Sequence, residues 1–299
     1  CNMPCYSPLK GWRSRFPTVN GKYGITFRLA DAWVDRPMEV PCGQCTGCRL
    51  RRVQDWSVRL VHEAQFHDRN CFITLTYNDD NLPLYGSLVK DDFQKFLKRF
   101  RKLIYPIKIK YYHCGEYGEK MGRPHYHAII YGYDFPDKSF WKGTGESTLY
   151  RSSMLESLWT KGYSSIGNVN VITCAYVARY CTKKISGGLA HQHYKGKQSE
   201  YSTMSLKPPI SSEFLKYYID DIYPCDFVII QGKYFRVPKY YDKVYQELYP
   251  EKWEKVLSSR IITGKERAVS HERLEKLHES SMIRLKKEVE LRSFEMDLI

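Results

Sequence analysis

The sequence contains no run of 18 or more apolar residues, so no membrane-spanning helix is expected. Its opening, CNMPCYSPLKGW, has no continuous apolar stretch, so no signal peptide is expected. Nor does it open on Met, so the numbering is expected to begin one residue late or after processing. No GxxxxGK[ST] phosphate loop occurs, which argues against a built-in nucleotide-driven motor. Acidic residues are scarce, 33 Asp and Glu against 47 Lys and Arg, for a net charge of +14. What is present is ordinary for a globular chain: 42% apolar and 27% charged over 299 residues. That composition excludes a wholly disordered tail or a collagen-like fibre, and the length fits one large domain or two of ordinary size.

The positive charge is unevenly placed. Residues 1–238 carry 34 basic and 21 acidic side chains, whereas the stretch from Lys239 onward carries 13 and 12. A basic body with a neutral tail points to a polyanion-binding domain with an appendage. The 25 tyrosines sharpen this, because basic residues interleaved with aromatics suit single-stranded nucleic acid, whose unpaired bases stack on rings.

Five of the ten cysteines lie early, at Cys1, Cys5, Cys42, Cys45 and Cys48. Without a signal peptide a reducing compartment is expected, so disulfides are not. PCGQCTGCRLRR spaces Cys42, Cys45 and Cys48 as Cys-x-x-Cys-x-x-Cys, with Gly43 allowing the tight turn that aims two thiolates at one ion. Tetrahedral Zn²⁺ needs a fourth ligand; Cys5 is the first choice and Cys1 the alternative. Four thiolates leave no open position for water, so this zinc is read as structural. Ordinary thiols or an iron–sulfur site are the competing readings. Beyond Cys48, Val53, Trp56, Leu60 and Ala64 recur at helical spacing, behind Arg49, Arg51 and Arg52.

The central stretch reads as strand over 71–79, helix from Lys90, strands over 107–118 and 124–132, helix over about 147–160, strand over 164–172, and helix from near Thr173. This β-α-β-β-α-β-α order predicts an α+β fold of split-βαβ, ferredoxin-like type with an antiparallel sheet. The expected organisation is a Cys-rich zinc module with a basic helix over 1–68, a core over 69–210, and a β-hairpin with helices over 211–299.

His125-Tyr126-His127 lies in a predicted strand, where alternation turns both imidazoles to one face. With nine histidines in the chain, His-x-His arises by chance in about one such chain in four, so a third ligand is needed. Glu116, across a short turn on the preceding strand, supplies it, and two histidines with one carboxylate leave positions for substrate oxygens and water. His113 is an alternative ligand, but its parity along the strand opposes that of Glu116. In AYVARYCTKK, Tyr176 and Tyr180 lie one turn apart on one helix face, each followed three residues later by a base, Arg179 and Lys183. A tyrosine can attack a phosphate to form a covalent phosphotyrosine, and a neighbouring cation can offset the developing charge. The plainer reading is two tyrosines packing a helix onto the sheet.

Residues 186–210 read as a Gly-, Ser- and Pro-rich loop in which His191-Gln192-His193 has little claim on a metal. FVIIQGKYFRVP reads as a hairpin turning at Gln231-Gly232, followed by helices over roughly 240–258 and 264–298. In the last of these Leu274, Leu277, Leu285 and Val289 are near helical spacing, too irregular for a coiled coil.

FITLTY, PHYH and AYVARYCTKK, in this order, resemble the HUH endonucleases. With PCGQCTGCRL at the N-terminus they look most like the replication initiators of Microviridae, in the gokushovirus branch; CYSPLKGWR, HCGEYGEKMGRPHYHAIIYG and YSTMSLKPPI carry the likeness to about residue 210. The resemblance implies rolling-circle initiation by site-specific nicking and rejoining of single-stranded origin DNA. Glu116, His125 and His127 would hold Mg²⁺ or Mn²⁺, and Tyr176 and Tyr180 would act as paired nucleophiles. It further implies a host polymerase, a host helicase and the cytoplasm of a bacterial host. Arg179 stands where a lysine is expected, which makes Tyr176 the weaker candidate to initiate. The competing readings are a zinc-containing nucleic-acid-binding protein without catalysis, and a plasmid initiator or transposase using the same chemistry.

Overall fold

A computed structural model describes residues 5–19, 21, 23–118, 122–184, 189–266 and 272–283, with backbone alone at 181–183, 189 and 264–266. The elements in chain order are β1 (Leu9–Pro17), β2 (Tyr23–Thr26), β3 (Ala32–Val40), α1 (Thr46–Ala64), β4 (Asn70–Tyr77), α2 (Lys90–Leu103), β5 (Lys110–Tyr117) and β6 (Pro124–Tyr131). There follow β7 (Ser139–Lys142), β8 (Leu149–Arg151), α3 (Ser153–Leu158), β9 (Gly162–Gly167), α4 (Val171–Lys183), α5 (Leu189–Tyr194) and β10 (Tyr201–Met204). Last come α6 (Ser212–Cys225), β11 (Phe227–Ile230), β12 (Lys233–Arg236), α7 (Lys239–Leu248) and α8 (Pro250–Glu266). The fold is α+β with antiparallel sheets, and none of the described helices is long and apolar enough to cross a membrane.

The chain forms two compact units, residues 1–51 with 257–299, and residues 52–256. In the first, β1 is the middle strand of a sheet ordered β2-β1-β3. The ring of Tyr6 lies 5.3 Å from that of His278, and the Thr46 hydroxyl donates to Met282 Sδ at 3.2 Å.

The second unit is built on a seven-stranded sheet ordered β10-β5-β6-β4-β9-β8-β7. β4, α2 and β5 form a crossover unit, and β6 lies between the two strands, antiparallel to both. β4 is Phe-, Ile-, Thr- and Tyr-rich, so its side chains cover both faces. On one face Ile73, Leu75, Tyr77, Tyr126 and Ile130 meet Phe93, Phe96, Leu97 and Phe100 of α2 and Trp159 beyond α3. The acidic first turn (Asp91, Asp92) and basic last turn (Arg101, Lys102) of α2 both favour its dipole. On the other face Phe72, Tyr112, Cys114, Ile129 and Tyr131 meet Val53 and Leu60 of α1 and Cys174, Val177, Ala178 and Tyr180 of α4. A third cluster joins Leu215, Ile219, Ile222 and Tyr223 of α6 to the β11–β12 hairpin and to Tyr241 and Tyr245 of α7.

Four elements differ from the sequence reading. The helix expected over 147–160 is split: Leu149 and Tyr150 pair with Gly167 and Ile166 on the sheet, and only Ser153–Leu158 is helical. The hydroxyl of Ser152 accepts from Leu155 N at 3.1 Å, which starts the helix there. The strand expected to run to 172 stops at Gly167, because Asn170 and Thr173 form a reciprocal capping box that opens α4. The loop expected over 186–210 contains α5 and β10, and β10 pairs with β5 from Tyr201↔Gly115 to Met204↔Tyr112. The helix expected over 240–258 is interrupted at Tyr249, before Pro250 opens α8. Leu285 and Val289 lie outside the described residues.

Candidate functional site

Two groups of metal-ligating side chains stand out among the described residues. The first is Glu116, His125 and His127, and the second is Cys5, Cys42, Cys45 and Cys48; within each, the ligand atoms all lie within 4.8 Å of one another.

The first follows from strand register. β5 and β6 pair so that Glu116 faces His125 and Cys114 faces His127. Side chains of opposed residues share a face, so all three ligands project from the sheet face that packs against α4. Glu116 Oε1 lies 2.9 Å from His127 Nε2 and 4.0 Å from His125 Nε2. Glu116 and His127 are buried, whereas His125 is partly open. The other nitrogen of His127, Nδ1, is 3.0 Å from Thr74 Oγ1 on β4, opposite it in register. A partner at Nδ1 fixes the ring and leaves Nε2 for the carboxylate or an ion. His113 points to the opposite face, where its ring stacks on Phe93 at 3.4 Å and Nδ1 meets Thr203 Oγ1 at 3.0 Å. Burial, and the nearness of His127, hold the His113 ring well below its ordinary pKa, so it is neutral.

α4 lays its two tyrosines across this group. The Tyr180 ring is parallel to His127, with centroids 5.2 Å apart and planes at 9°, and Tyr176 meets the same imidazole edge-on at 5.3 Å and 83°. The two phenols are themselves perpendicular, 4.8 Å apart. Phe72 backs the cluster, stacked on His127 at 5.6 Å and edge-on to Tyr176 at 6.1 Å. Tyr180 is only 6% exposed, whereas Tyr176 is half-buried. Burial, then the Glu116 carboxylate and Tyr176, push the Tyr180 phenol well above its ordinary pKa. Arg179 is half-buried on α4, and the Lys183 side chain lies outside the described residues.

In the second group, Cys45 Sγ and Cys5 Sγ are 3.8 Å apart. That is about the edge of a tetrahedron with metal–sulfur bonds of ~2.3 Å. Gly43 takes φ +75°, the left-handed turn that Cys-x-x-Cys requires. Backbone N–H groups point at the sulfurs: Cys42 N donates to Cys5 Sγ at 3.2 Å, Cys45 N to Cys42 Sγ at 3.2 Å and Tyr6 N to Cys45 Sγ at 3.3 Å. Such donors stabilise thiolate over thiol. Cys1 lies outside the described residues, and His191 and His193 on α5 join neither group.

Sequence reasoning missed Thr74 and Phe72, which read as ordinary strand residues. The signal available was position: both share the parity of the ligand face on the strand next to the histidines.

Comparison with known proteins agrees with this geometry. The family model for the replication-associated protein ORF2 group matches residues 70–185, which span β4 to α4. The chain is similar to replication-associated protein VP4 of Bdellovibrio phage phiMH2K, at 30% identity over 286 residues, covering 92% of this chain and 87% of that protein. It is similar to replication-associated protein ORF2 of Spiroplasma virus 4, at 34% over 244 residues and 73% of each chain. To replication-associated protein ORF4 of Chlamydia phage 1 it is 29% identical over 230 residues, 71% of this chain and 55% of that one. No solved structure matches it. The chain therefore belongs to the replication-associated proteins of the Microviridae-like phages.

Proposed function

We propose that this protein initiates rolling-circle replication by nicking single-stranded origin DNA and rejoining it through a covalent 5′-phosphotyrosine, as an HUH-type endonuclease and strand transferase. The observation that carries the reading is the convergence of Glu116, His125 and His127 beneath two tyrosines of one helix. The strand order β5-β6-β4-β9, with β6 between two strands joined by α2, supports the split-βαβ framework.

The donor set suits a hard divalent cation of the Mg²⁺ or Mn²⁺ class: one carboxylate and two imidazoles on one side, with room opposite for oxygens. Bound there, the ion would polarise the scissile phosphate. Glu116, His125 and His127 would hold it, and Thr74 would keep His127 Nε2 turned inward. The phenol oxygen of Tyr176 or Tyr180 attacks phosphorus as it loses its proton. The bond from phosphorus to the 3′ oxygen breaks, and that oxygen leaves as a hydroxyl, the primer for a host polymerase. The 5′ phosphate stays on the tyrosine. A second tyrosine cuts the regenerated origin, and the new 3′ hydroxyl attacks the first phosphotyrosine, releasing a circle. One phosphodiester is exchanged for another at each step, so joining consumes no nucleotide. Arg179 and Lys183 would place or neutralise the strand. Unwinding falls to a host helicase, in the cytoplasm of the bacterial host. Cys5, Cys42, Cys45 and Cys48 would hold structural Zn²⁺, since four thiolates leave no open position.

The test is incubation with random-sequence circular single-stranded DNA and Mn²⁺, followed by denaturing electrophoresis and peptide mapping. A denaturant-stable adduct on α4 is expected. Tight binding without any adduct would replace this reading with that of a non-catalytic DNA-binding protein.

A further inference from the structure

The sheet β2-β1-β3 presents an open aromatic face that the nicking site does not use. Register places its residues: Arg13 of β1 lies between Ile25 of β2 and Trp33 of β3, so all three share one face. A Cβ added at Gly11 would sit 3.1 Å from Ile25 Cγ2 and 3.2 Å from Phe27 Cε1, so both side chains lie over the bare backbone of β1, on that same face. Tyr23 joins them by alternation along β2. The rings are well exposed, Tyr23 48%, Phe27 56% and Trp33 44%. Between them stand cations: the guanidinium carbons of Arg15 and Arg36 lie 5.6 and 5.9 Å from the centre of the Trp33 ring. Arg13, Arg15 and Arg36 are all exposed. β3 also carries the exposed Asp35 and Glu39, and the three arginines outnumber them.

We infer that this face is a second platform for single-stranded DNA, on which unpaired bases stack on Tyr23, Phe27 and Trp33 while Arg13, Arg15 and Arg36 follow the phosphates. The inference rests on the proposed function for its choice of ligand. An exposed group of large apolar side chains needs an occupant, and the charge chooses it. A second copy of this face would set its arginines against their own counterparts, whereas a single strand offers π-faces and phosphates together. Duplex DNA hides its bases from such a flat surface.

The experiment uses the full chain and a fluorescein-labelled oligothymidylate without an origin, read by anisotropy across a salt series. Phe27→Ala with Trp33→Ala should weaken binding about tenfold or more. Arg13→Ala, Arg15→Ala and Arg36→Ala together should lower the slope of log K against log salt by about 2. Trp33→Tyr should keep most of the affinity, as a ring replaces a ring. Zinc content and circular dichroism establish that each variant is folded; the arginine set, being exposed, keeps the test open should the aromatic pair misfold. Unchanged affinity and slope in folded variants would overturn the inference. So would a self-association, seen by sedimentation, that the aromatic variant abolishes without changing DNA binding. Adduct formation by the wild type is scored separately. Binding with the expected losses but no adduct would sink the nickase and leave the platform standing. Normal adduct with unaffected binding would do the reverse.

Discussion

The phenol of Tyr180 stacks parallel to the imidazole of His127, while Tyr176, one turn earlier, meets that imidazole edge-on. The two tyrosines are therefore inequivalent: one is buried face-down on a candidate ligand, the other half-open beside it. Tyr176→Phe and Tyr180→Phe should each retain some single cleavage of an origin oligonucleotide and each fail in release of a circle. The double variant should form no adduct, because phenylalanine has no nucleophilic oxygen. A cleavage gel and a circle-release assay on all three variants check this. An adduct in the double variant would move attention to Tyr163, which is 62% exposed, ahead of Tyr194, which is buried and hydrogen-bonded to Glu200.

His125→Ala or His127→Ala should abolish cleavage and leave oligonucleotide binding within a few-fold, since these side chains act on the reacting phosphate rather than along the basic surface. Thr74→Val is the subtler probe. It removes the oxygen 3.0 Å from His127 Nδ1 without changing the shape of the strand residue. The Mn²⁺ concentration for half-maximal nicking should rise about 10-fold or more, with cleavage recovered at saturating metal. An unchanged metal dependence would show that the ring is held by packing alone.

The purified protein should carry about one zinc per chain, measured by atomic emission. Cys45→Ser should lose that zinc and loosen the N-terminal unit while the seven-stranded sheet keeps its far-ultraviolet signature. Full zinc occupancy after replacement of Cys42, Cys45 and Cys48 together would place the metal elsewhere.

Acid should weaken the fold through His62. Its ring is 1% exposed, stacks on Phe214 at 3.6 Å and meets the Tyr241 hydroxyl at 2.8 Å. Burial lowers its pKa from 6.5 to about 3. The unfolded chain therefore takes up a proton between those values that the folded chain refuses. Stability from this group is complete above pH about 6.5 and declines as pH falls toward 3, by about 2 kcal/mol at pH 5. Urea midpoints at pH 7 and pH 5 should differ by less in His62→Gln than in the wild type. Neutral His113 adds a second component of the same sign, so the slope should shrink without vanishing.

The ligand triad is legible in the sequence because its logic is local. Alternation places His125 and His127 together, and a short hairpin brings Glu116 alongside. The tyrosine pair is legible for the same reason, four residues apart on one helix. What escapes is decided by distant partners. Leu149–Arg151 has helical neighbours in sequence but takes an edge position on β9. Tyr201–Met204 sits in a Ser- and Gly-rich stretch and becomes strand by pairing with β5, whose residues lie far back in the chain. The three-stranded N-terminal sheet has few buried positions, so its apolar alternation faces outward and reads as irregular. Thr74 looks like any β-branched strand former until its register with His127 is known.

The place of the histidine strand has one more consequence. β6 is laced on one side to β5 and on the other to β4 along nearly its whole length. Amides in such a position exchange with solvent only when the whole unit opens. The ligands on β6 are thus shaped by the sheet before any ion arrives, and the ion can come and go as a visitor to a finished socket. The four-cysteine group is of another kind. Its ligands lie far apart in the chain, at Cys5 and at 42–48, so an ion there would act as a rivet, closing a loop that has little core of its own.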